Sequence, residues 1–229
     1  MMQRDPNVDS VELVVDELGA LCAELVLVGG CAVGLLVTDK GRPTVRVTKD
    51  VDLIAEVVTM VSYYELEKKL IALGFKSGSD GVICRWQKGE LLIDVMPTEE
   101  IGFGSTNRWY PLVVKYAEEH LLPRGGTIRV ISAPLFIAAK LEAFQNRGGG
   151  DYSHHDIEDI VNIVDGRVEL AEEIRRSDEE VRSYIMQEFD DLLADQDFAE
   201  HIPWHLNTDD ANQRRVPMVL GRFRKIAGL

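Results

Sequence analysis

Apolar residues in the N-terminal part of the chain recur first at helical spacing and then in a continuous run. The helical spacing predicts a helix that is capped by Asp9 or Ser10 and buries one face. The run 25–28 is continuous, apolar and partly β-branched, which indicates a strand buried on both faces. The run ends at Gly29-Gly30, and the apolar residues 31–37 predict a short buried helix directly after the glycines.

The middle of the chain contains further strand-like runs separated by turn-forming residues. Residues 38–49 combine charges with glycine and proline and predict an exposed, mobile loop, and the apolar run 51–55 after it predicts a second strand. The runs 82–87 and 91–96 flank a turn that contains glycine, which predicts a hairpin. Residues 128–131 form the last strand-like run.

Two Ser-x-x-Glu sequences match the capping box with which many helices begin. Ser62 with Glu65 precedes one apolar pattern at helical spacing. Ser177 with Glu180 precedes another. Both sequences are predicted to begin helices.

The order of the predicted elements indicates an α/β (α+β) fold. Strands and helices are mixed up to residue 132, and helical spacing covers most of the chain after it. We predict a mixed sheet flanked by helices over 1–132 and a helical C-terminal part over 133–229.

The composition is that of a globular protein with an excess of acidic residues. The 229 residues include 39 acidic and 25 basic side chains, so the formal net charge is −14 at pH 7. This charge repels a nucleic-acid backbone unless basic residues are gathered locally. A basic C-terminal tail is either a solvated helix face or a patch that contacts phosphates, and it comprises Arg214, Arg215, Arg222, Arg224 and Lys225.

Cysteine usage and hydropathy predict a cytoplasmic protein without membrane contact. Cys22, Cys31 and Cys84 are odd in number and lie among apolar residues, which is typical of reduced core residues. The first ten residues do not resemble a cleavable signal, and no apolar run approaches the roughly 20 residues that span a bilayer.

The candidate chemistry depends on acidic residues inside apolar strand-like runs. Asp50 and Asp52 are two positions apart, so in a strand their side chains point to the same face. Two buried like charges are unfavourable unless a cation lies between them, and such carboxylates suit a Mg²⁺ ion that also holds phosphates. Asp94 interrupts the run 91–96 in the same way. If its strand neighbours that of Asp50, three carboxylates converge on one or two metal ions.

The turn Gly29-Gly30 offers a complementary site for phosphates. Glycines let backbone N–H groups approach an anion closely, and the N-terminus of the following helix adds positive potential. The next residue is Cys31, whose thiol is a poor hydrogen-bond donor. The glycine pair gains specificity from its place before the Asp-x-Asp strand.

These motifs together resemble the polymerase-beta-like nucleotidyltransferase superfamily. The resemblance rests on Gly29-Gly30, on the segment Arg46-Val47-Thr48-Lys49-Asp50-Val51-Asp52-Leu53, and on Asp94. The Arg-x-Thr-x-Asp-x-Asp-Leu form is most similar to the AbiEii-type branch, which includes toxins of toxin-antitoxin systems. The resemblance covers roughly residues 20–165.

The resemblance implies a nucleotidyltransferase catalytic domain that uses Mg²⁺ or Mn²⁺, with two ions, and a nucleoside triphosphate as substrate. Asp50, Asp52 and Asp94 would be both catalytic residues and metal ligands. Arg46 and Lys49 either hold substrate phosphates or balance local charge. The predicted nucleotide-binding residues are Gly29, Gly30, Cys31, Arg46, Thr48, Lys49 and Arg147.

The resemblance extends to the predicted helical part. In the AbiEii-type branch one helix bears a lysine followed by an arginine, and the next helix bears an aspartate; Lys140, Arg147 and Asp156 match these places. Lys140 and Asp156 would then complete the catalytic site. Alternatively, Lys140 is a surface lysine with a packed stem and Arg147 a favourable charge at a helix C-terminus. His154 and His155 are predicted to diverge by about 100° as neighbours on one helix, so we do not expect them to chelate one ion.

The resemblance implies transfer of a nucleoside monophosphate to an acceptor. The branch favours RNA, such as a tRNA end, or a protein side chain, in a toxin that an antitoxin protein would bind. The acidic composition would instead suit a cationic small molecule, as in nucleotidyltransferases that modify antibiotics. A different hypothesis is a non-catalytic member that binds a nucleotide or a partner.

Overall fold

A computed structural model describes residues 5–39, 46–78, 84–101 and 106–229. The chain divides into two compact units, one of Met1–Leu35 with Thr44–Ser132 and one of Leu36–Pro43 with Ala133–Leu229. Residues 40–45 of the predicted loop at 38–49 and the start of the predicted strand at 82–87 lie outside the described residues.

The described residues of the first unit form a seven-stranded mixed sheet. In chain order the strands are β1 (Leu25–Leu27), β2 (Val51–Ala55), β3 (Lys76–Ser77), β4 (Arg85–Lys88), β5 (Leu91–Pro97), β6 (Glu118–Leu121) and β7 (Thr127–Val130). Their order across the sheet is β3-β4-β5-β2-β1-β7-β6. Strand β2 pairs in parallel with β5 and antiparallel with β1, and β1 pairs in parallel with β7. The predicted mixed sheet is confirmed.

Four α-helices and one 3-10 helix (Gly19–Glu24) accompany the sheet in the described part of the first unit. The α-helices are α1 (Pro6–Leu18), α2 (Gly29–Leu36), α3 (Met60–Ala72) and α4 (Tyr110–Tyr116). Helix α1 packs on β2 and β5, and α4 packs on β2. Strand β1 is buried along its whole length, as its continuous apolar sequence predicts. Cys22 and Cys31 are buried and Cys84 is half-buried, each as a free thiol.

The predicted start of α1 is wrong. The helix begins at Pro6, before the predicted caps Asp9 and Ser10, because the side chain of Asp5 accepts a hydrogen bond from the Asn7 N–H. Proline suits the first helical position, where a backbone N–H would lack an intrahelical partner.

Both predicted capping boxes are also wrong. The box of α3 is formed by Thr59 and Ser62, so the helix starts one residue after Thr59, and Ser62 is not its cap. Ser177 instead ends a helix, and the next helix is preceded by Asp178. A Ser-x-x-Glu sequence can satisfy the pattern inside or after a helix, because the pattern does not encode where the extended cap conformation falls.

The second unit is helical, as predicted. Its described helices are α5 (Ala133–Arg147), α6 (His155–Gly166), α7 (Leu170–Arg176), α8 (Glu179–Ala194), α9 (Gln196–His201), α10 (Asp210–Gln213) and α11 (Val216–Ala227). Helix α5 packs on α6 and α8, and α11 packs on α8. No helix of the described segments is both long and apolar enough to cross a bilayer.

Two strands and one α-helix of the described sheet unit were not predicted: β3, β6 and α4. Strand β6 has the sequence Glu-Glu-His-Leu and lies at one edge of the sheet. Polar, charged residues are typical of edge strands and carry little of the alternation from which a strand is predicted.

Candidate active site

The register of the central strands brings two predicted acids together. Asp52 on β2 and Asp94 on β5 are register partners in the parallel pair. Register partners on neighbouring strands project to the same face of a sheet, so the two carboxylates lie side by side. Asp50 lies one residue before β2 and is joined to Asp94 through a third residue, Arg85.

Arg85 on β4 holds two of the three carboxylates. Its Nε and Nη2 atoms donate to the two oxygens of Asp94, each at 2.8 Å, and Nη2 also donates to Asp50 Oδ2 at 2.6 Å. The side chains are largely shielded, with 19% exposure for Arg85 and 11% for Asp94. A guanidinium held in this way offsets the mutual repulsion of the carboxylates.

Gly29 makes room for the carboxylate of Asp52. It has a φ of +64°, and a Cβ placed on it would lie 1.9 Å from Asp52 Oδ2. The same junction is fixed by the backbone, since the Val28 N–H donates to the Asp52 carbonyl at 2.9 Å. Gly29 is also the first residue of α2, so the carboxylate of Asp52 lies at the positive end of that helix. Gly30 follows as a buried helical residue.

The segment that leads into β2 is anchored by Cys31 and Thr48. Cys31 Sγ lies 2.8 Å from Thr48 Oγ1 and 3.4 Å from the Asp50 carbonyl oxygen. Burial raises the pKa of the Cys31 thiol to about 12, so the thiol is neutral at pH 7. Both residues, predicted to bind nucleotide, therefore contact each other and the backbone of Asp50.

Asn7 on α1 fixes the same segment from the other side. Its side-chain amide donates to the Arg46 carbonyl at 2.8 Å and accepts from the Thr48 N–H at 3.0 Å. Asn7 is fully buried. It therefore pairs with the backbone as a neighbouring strand would, two residues before Asp50.

Replacing Asn7 with alanine should lower the free energy of unfolding by about 1–3 kcal/mol, because it leaves two backbone groups of a partly buried contact without their partner. Urea denaturation followed by circular dichroism would measure the loss. Ser10→Ala on the same helix is the control, since Ser10 donates only to a carbonyl of its own helix at 3.3 Å. Equal stabilities for the two variants would show that Asn7 does not anchor the segment.

The three carboxylates, here called the acid cluster, are chemically suited to bind a divalent cation. Its donors are the carboxylates of Asp50, Asp52 and Asp94, and hard oxygen ligands of this kind are those that Mg²⁺ and Mn²⁺ take. The space at Gly29 lets Asp52 approach the start of α2, where phosphates would also be favoured.

Among the predicted basic residues, Arg46 and Lys49 are exposed. Lys49 lines an open cleft of about 380 Å³ together with Thr48 and Asp50.

The three residues matched in the helical part form one ion cluster within the second unit. Lys140 Nζ lies 3.0 Å from Asp156 Oδ1 and 2.6 Å from Asp159 Oδ2. Arg147, the last residue of α5, donates from Nε and Nη2 to the two oxygens of Asp156 at 2.8 and 2.7 Å. Asp156 is fully buried and Lys140 is 8% exposed, so the alternative of a surface lysine is wrong.

The contacts within this ion cluster keep Asp156 and Lys140 charged. Burial alone would raise the pKa of Asp156, but the hydrogen bonds and charges of Arg147 and Lys140 outweigh it and lower that pKa. Burial would likewise lower the pKa of Lys140, and the charges of Asp159 and Asp156 raise it instead. The cluster is therefore a set of mutually compensated ions at neutral pH.

The prediction that His154 and His155 diverge is wrong. His154 is the N-cap of α6 and not a helical residue, so its ring turns back and accepts from the Asp156 N–H at 3.2 Å. The two rings lie 4.0 Å apart between centroids. One potential ligand atom from each of His154, His155 and Asp156 lies within 4.8 Å of the others, a spacing that could hold a metal ion. Asp156 already accepts from Arg147 and Lys140, so a cation there would compete with both.

The basic tail divides into residues that make structural contacts and residues that are exposed. Arg215 pairs with Asp165 and Asp39, at 2.9 Å each. Arg222 donates to the carbonyls of Val164 and Asp165 near the C-terminus of α6. Exposed basic residues of the tail are Arg214, Arg224 and Lys225.

Comparisons with known proteins concern the fold. No model of a protein family matches the chain. No curated protein matches it either. Similar solved structures include an antigenic nucleotidyltransferase-like protein from Paracoccidioides brasiliensis, with a TM-score of 0.49, 17% identity, and coverage of 90% of this chain and 95% of that chain. They also include JHP933 from Helicobacter pylori, with a TM-score of 0.47, 12% identity, and coverage of 98% and 93%.

A further similar structure is that of ANT(2'')-Ia in complex with adenylyl-2''-tobramycin. Its TM-score is 0.45 at 17% identity, with 75% of this chain and 92% of that chain covered. At these identities, and with TM-scores below 0.5, the likeness assigns no activity to this chain.

Proposed function

We propose that this chain is a metal-dependent nucleotidyltransferase, acting in the cytoplasm, that moves a nucleoside monophosphate from a nucleoside triphosphate to an acceptor. The observation that carries the proposal is the register of β2 with β5, which sets Asp52 beside Asp94 with Asp50 linked to them through Arg85. The start of α2 lies at the same place, because Gly29 contacts Asp52. Carboxylates that would hold a cation therefore lie next to the N-terminus of α2, which would bind an anion, within the first unit.

In the first unit, the three aspartates and the glycine pair would have different roles. Asp50, Asp52 and Asp94 would hold one or two Mg²⁺ or Mn²⁺ ions, which neutralise phosphate charge and lower the pKa of an attacking hydroxyl. Asp94 would also help to accept the proton of that hydroxyl. Backbone N–H groups of Gly29-Gly30 would bind the β- and γ-phosphates. The acceptor oxygen forms a bond to the α-phosphorus. The bond between the α-phosphorus and the oxygen that bridges it to the β-phosphate breaks, and pyrophosphate leaves with that electron pair.

Lys140 and Asp156 are proposed, by resemblance, to complete the site from the helical part, with Arg147 binding nucleotide. Their contacts support a fixed unit: Lys140 and Arg147 both donate to Asp156. The buried carboxylate of Asp156 thereby fixes both cationic side chains, of which that of Arg147 is 55% exposed.

The proposed acceptor is RNA, such as a tRNA end, or a protein side chain, in an AbiEii-type toxin controlled by an antitoxin. Exposed basic residues Arg214, Arg224 and Lys225 support contact with RNA, although Arg215 and Arg222 make internal contacts. The net charge of −14 favours a second candidate, a cationic small molecule such as an antibiotic. Incubation with labelled triphosphates plus total tRNA, purified proteins or cationic antibiotics would decide between them by which pool gains label.

The function is tested by thermal stabilisation with each nucleoside triphosphate in the presence and absence of Mg²⁺. At a ligand concentration of about 100 Kd the wild type should gain about 5–10 °C in Tm, and only when both ligands are present. Asp50→Ala and Asp52→Ala should lose this gain, because they remove ligands of the cation.

Asp16→Ala is the matched control, since Asp16 is an exposed acid of α1 and its replacement changes the net charge equally. It should keep the full gain in Tm. A wild type that no triphosphate stabilises with either Mg²⁺ or Mn²⁺ would refute the proposed function.

A further inference from the structure

Arg85 binds two carboxylates of the acid cluster, and the proposed function gives it no role. Its guanidinium donates to both oxygens of Asp94 and to Oδ2 of Asp50, at 2.6–2.8 Å. A cation at those carboxylates would therefore lie close to a second positive charge. Two like charges a few ångströms apart repel strongly in a partly buried site.

The backbone of Arg85 is fixed, whereas its side chain can turn away. Arg85 pairs with Asp94 across β4 and β5, and its neighbour Trp86 is buried. The side chain keeps 19% of its surface exposed, so solvent or a ligand can reach it. The guanidinium can exchange partners by side-chain rotation without movement of the strand.

We infer that Arg85 competes with free divalent cations for Asp50 and Asp94 and yields them when the cation arrives with a triphosphate. The inference rests on the proposed function. A metal–triphosphate complex brings a cation for the carboxylates and, in the same step, phosphate oxygens that a guanidinium binds well. A free cation brings no replacement partner for Arg85. Arg85 is thus a positioning residue that couples metal binding to nucleotide binding.

The test is a titration with Mn²⁺, with free Mn²⁺ measured by electron paramagnetic resonance, on wild type, Arg85→Gln and Arg85→Lys. Arg85→Gln should bind Mn²⁺ alone about tenfold or more tightly than wild type, since it removes the competing charge and its hydrogen bonds. Arg85→Lys should show a smaller gain, because an ammonium keeps the charge and loses the fork of donors. Arg175→Gln is the control, because it removes the same charge from an exposed pair with Glu172.

Repeating the titration with a non-hydrolysable triphosphate analogue gives the second readout. The analogue should raise the Mn²⁺ affinity of the wild type more than that of Arg85→Gln, because coupling through Arg85 is lost in the variant. Mn²⁺ alone should also raise the Tm of Arg85→Gln, and this rise should be larger than the rise that Mn²⁺ alone causes in the wild type.

The outcomes separate this inference from the proposed function. If wild type binds Mn²⁺ with the analogue, but neither Arg85 variant binds free Mn²⁺ more tightly than wild type, the inference about Arg85 is wrong and the function stands. If wild type binds no Mn²⁺ with any triphosphate analogue, the function itself fails. Should Arg85→Gln not fold, the affinity of Arg85→Lys decides the question alone.

Discussion

Gly29→Ala should lower the free energy of unfolding of the sheet unit by about 2–5 kcal/mol. The backbone at Gly29 has a φ of +64°, and an alanine in this left-handed region costs about 1–2 kcal/mol. The added Cβ would lie 1.9 Å from Asp52 Oδ2, and overpacking of this kind costs about 1–3 kcal/mol more. Urea denaturation followed by tryptophan fluorescence would measure the sum, because Trp86 and Trp109 are buried in this unit.

Gly89→Ala separates the two contributions to this loss. Gly89, in the turn between β4 and β5, has a φ of +61°, and nothing lies within 4 Å of a Cβ placed there. The control should therefore lose only the backbone contribution, about 1–2 kcal/mol. Equal losses for Gly29→Ala and Gly89→Ala would contradict the close approach of Asp52.

The contact between Gly29 and Asp52 can be isolated by a double-mutant cycle. Asp52→Ala removes the Oδ2 atom that would lie 1.9 Å from the new Cβ and leaves the Cβ of position 52, at 2.7 Å, as the closest side-chain atom. Gly29→Ala should thus cost less in that background than in the wild type. Gly29→Ala alone should also weaken Mn²⁺ binding with a triphosphate analogue, because the displaced carboxylate is a proposed ligand.

The acidic residues could be predicted from the sequence because their positions violate its pattern. Asp94 stands inside an apolar strand and Asp50 and Asp52 flank the start of another, and an acid in such a place needs a partner. That β2 and β5 are neighbours could not be predicted, because pairing depends on contacts far apart in the chain. The register of Asp52 with Asp94 comes from the structure.

Arg85 and Asn7 were missed for different reasons. Arg85 lies inside the predicted strand 82–87, and only the sheet register sets it opposite Asp94. A signal did exist, since an arginine and an aspartate occupy facing halves of one predicted hairpin. Asn7 carried no signal, because its partners are backbone groups about forty positions away.

The wrong prediction for His154 and His155 in the helical part also has a local geometric cause. The divergence predicted for His154 and His155 assumed that both are helical, but the helix begins between them. The N-cap residue His154 has an extended backbone, with φ −61° and ψ 143°, so its side chain does not follow the 100° rotation between helical neighbours. Lys140, by contrast, was singled out by resemblance, and its burial follows from two acids on the next helix, Asp156 and Asp159.

Lys140→Met should lower the free energy of unfolding by about 3–5 kcal/mol, the usual result of removing one partner from a buried ion cluster. The methionine fills a similar volume, so the loss reflects charge and not a cavity. Asp156 keeps Arg147 as a partner in this variant, whereas Asp159 loses the ammonium that lies 2.6 Å from it. Lys68→Met is the chemical control, since Lys68 forms an exposed pair with Glu65 and should lose only about 0–1 kcal/mol.

The loss should depend on pH. In the wild type the pKa of Asp156 is lowered, so its stabilising contribution is complete above the unfolded value of about 3.9 and is lost as the pH falls through the folded value. Without Lys140, Asp156 loses one of the two cations that lower its pKa, so it binds a proton more readily than in the wild type. The difference in stability between wild type and Lys140→Met should therefore be constant from pH 7 to about pH 4 and shrink as the pH falls further.

A second replacement distinguishes a structural lysine from one retained for phosphate binding. Lys140→Met with Asp159→Asn removes one positive and one negative charge together, so this double variant should be more stable than Lys140→Met alone. If it recovers stability but not nucleotide binding, Lys140 serves the nucleotide as well as the fold. If Lys140→Met instead costs no more than Lys68→Met, the ion cluster does not hold the helices together. The burial of Lys140 would then have to be explained by its proposed place in the active site.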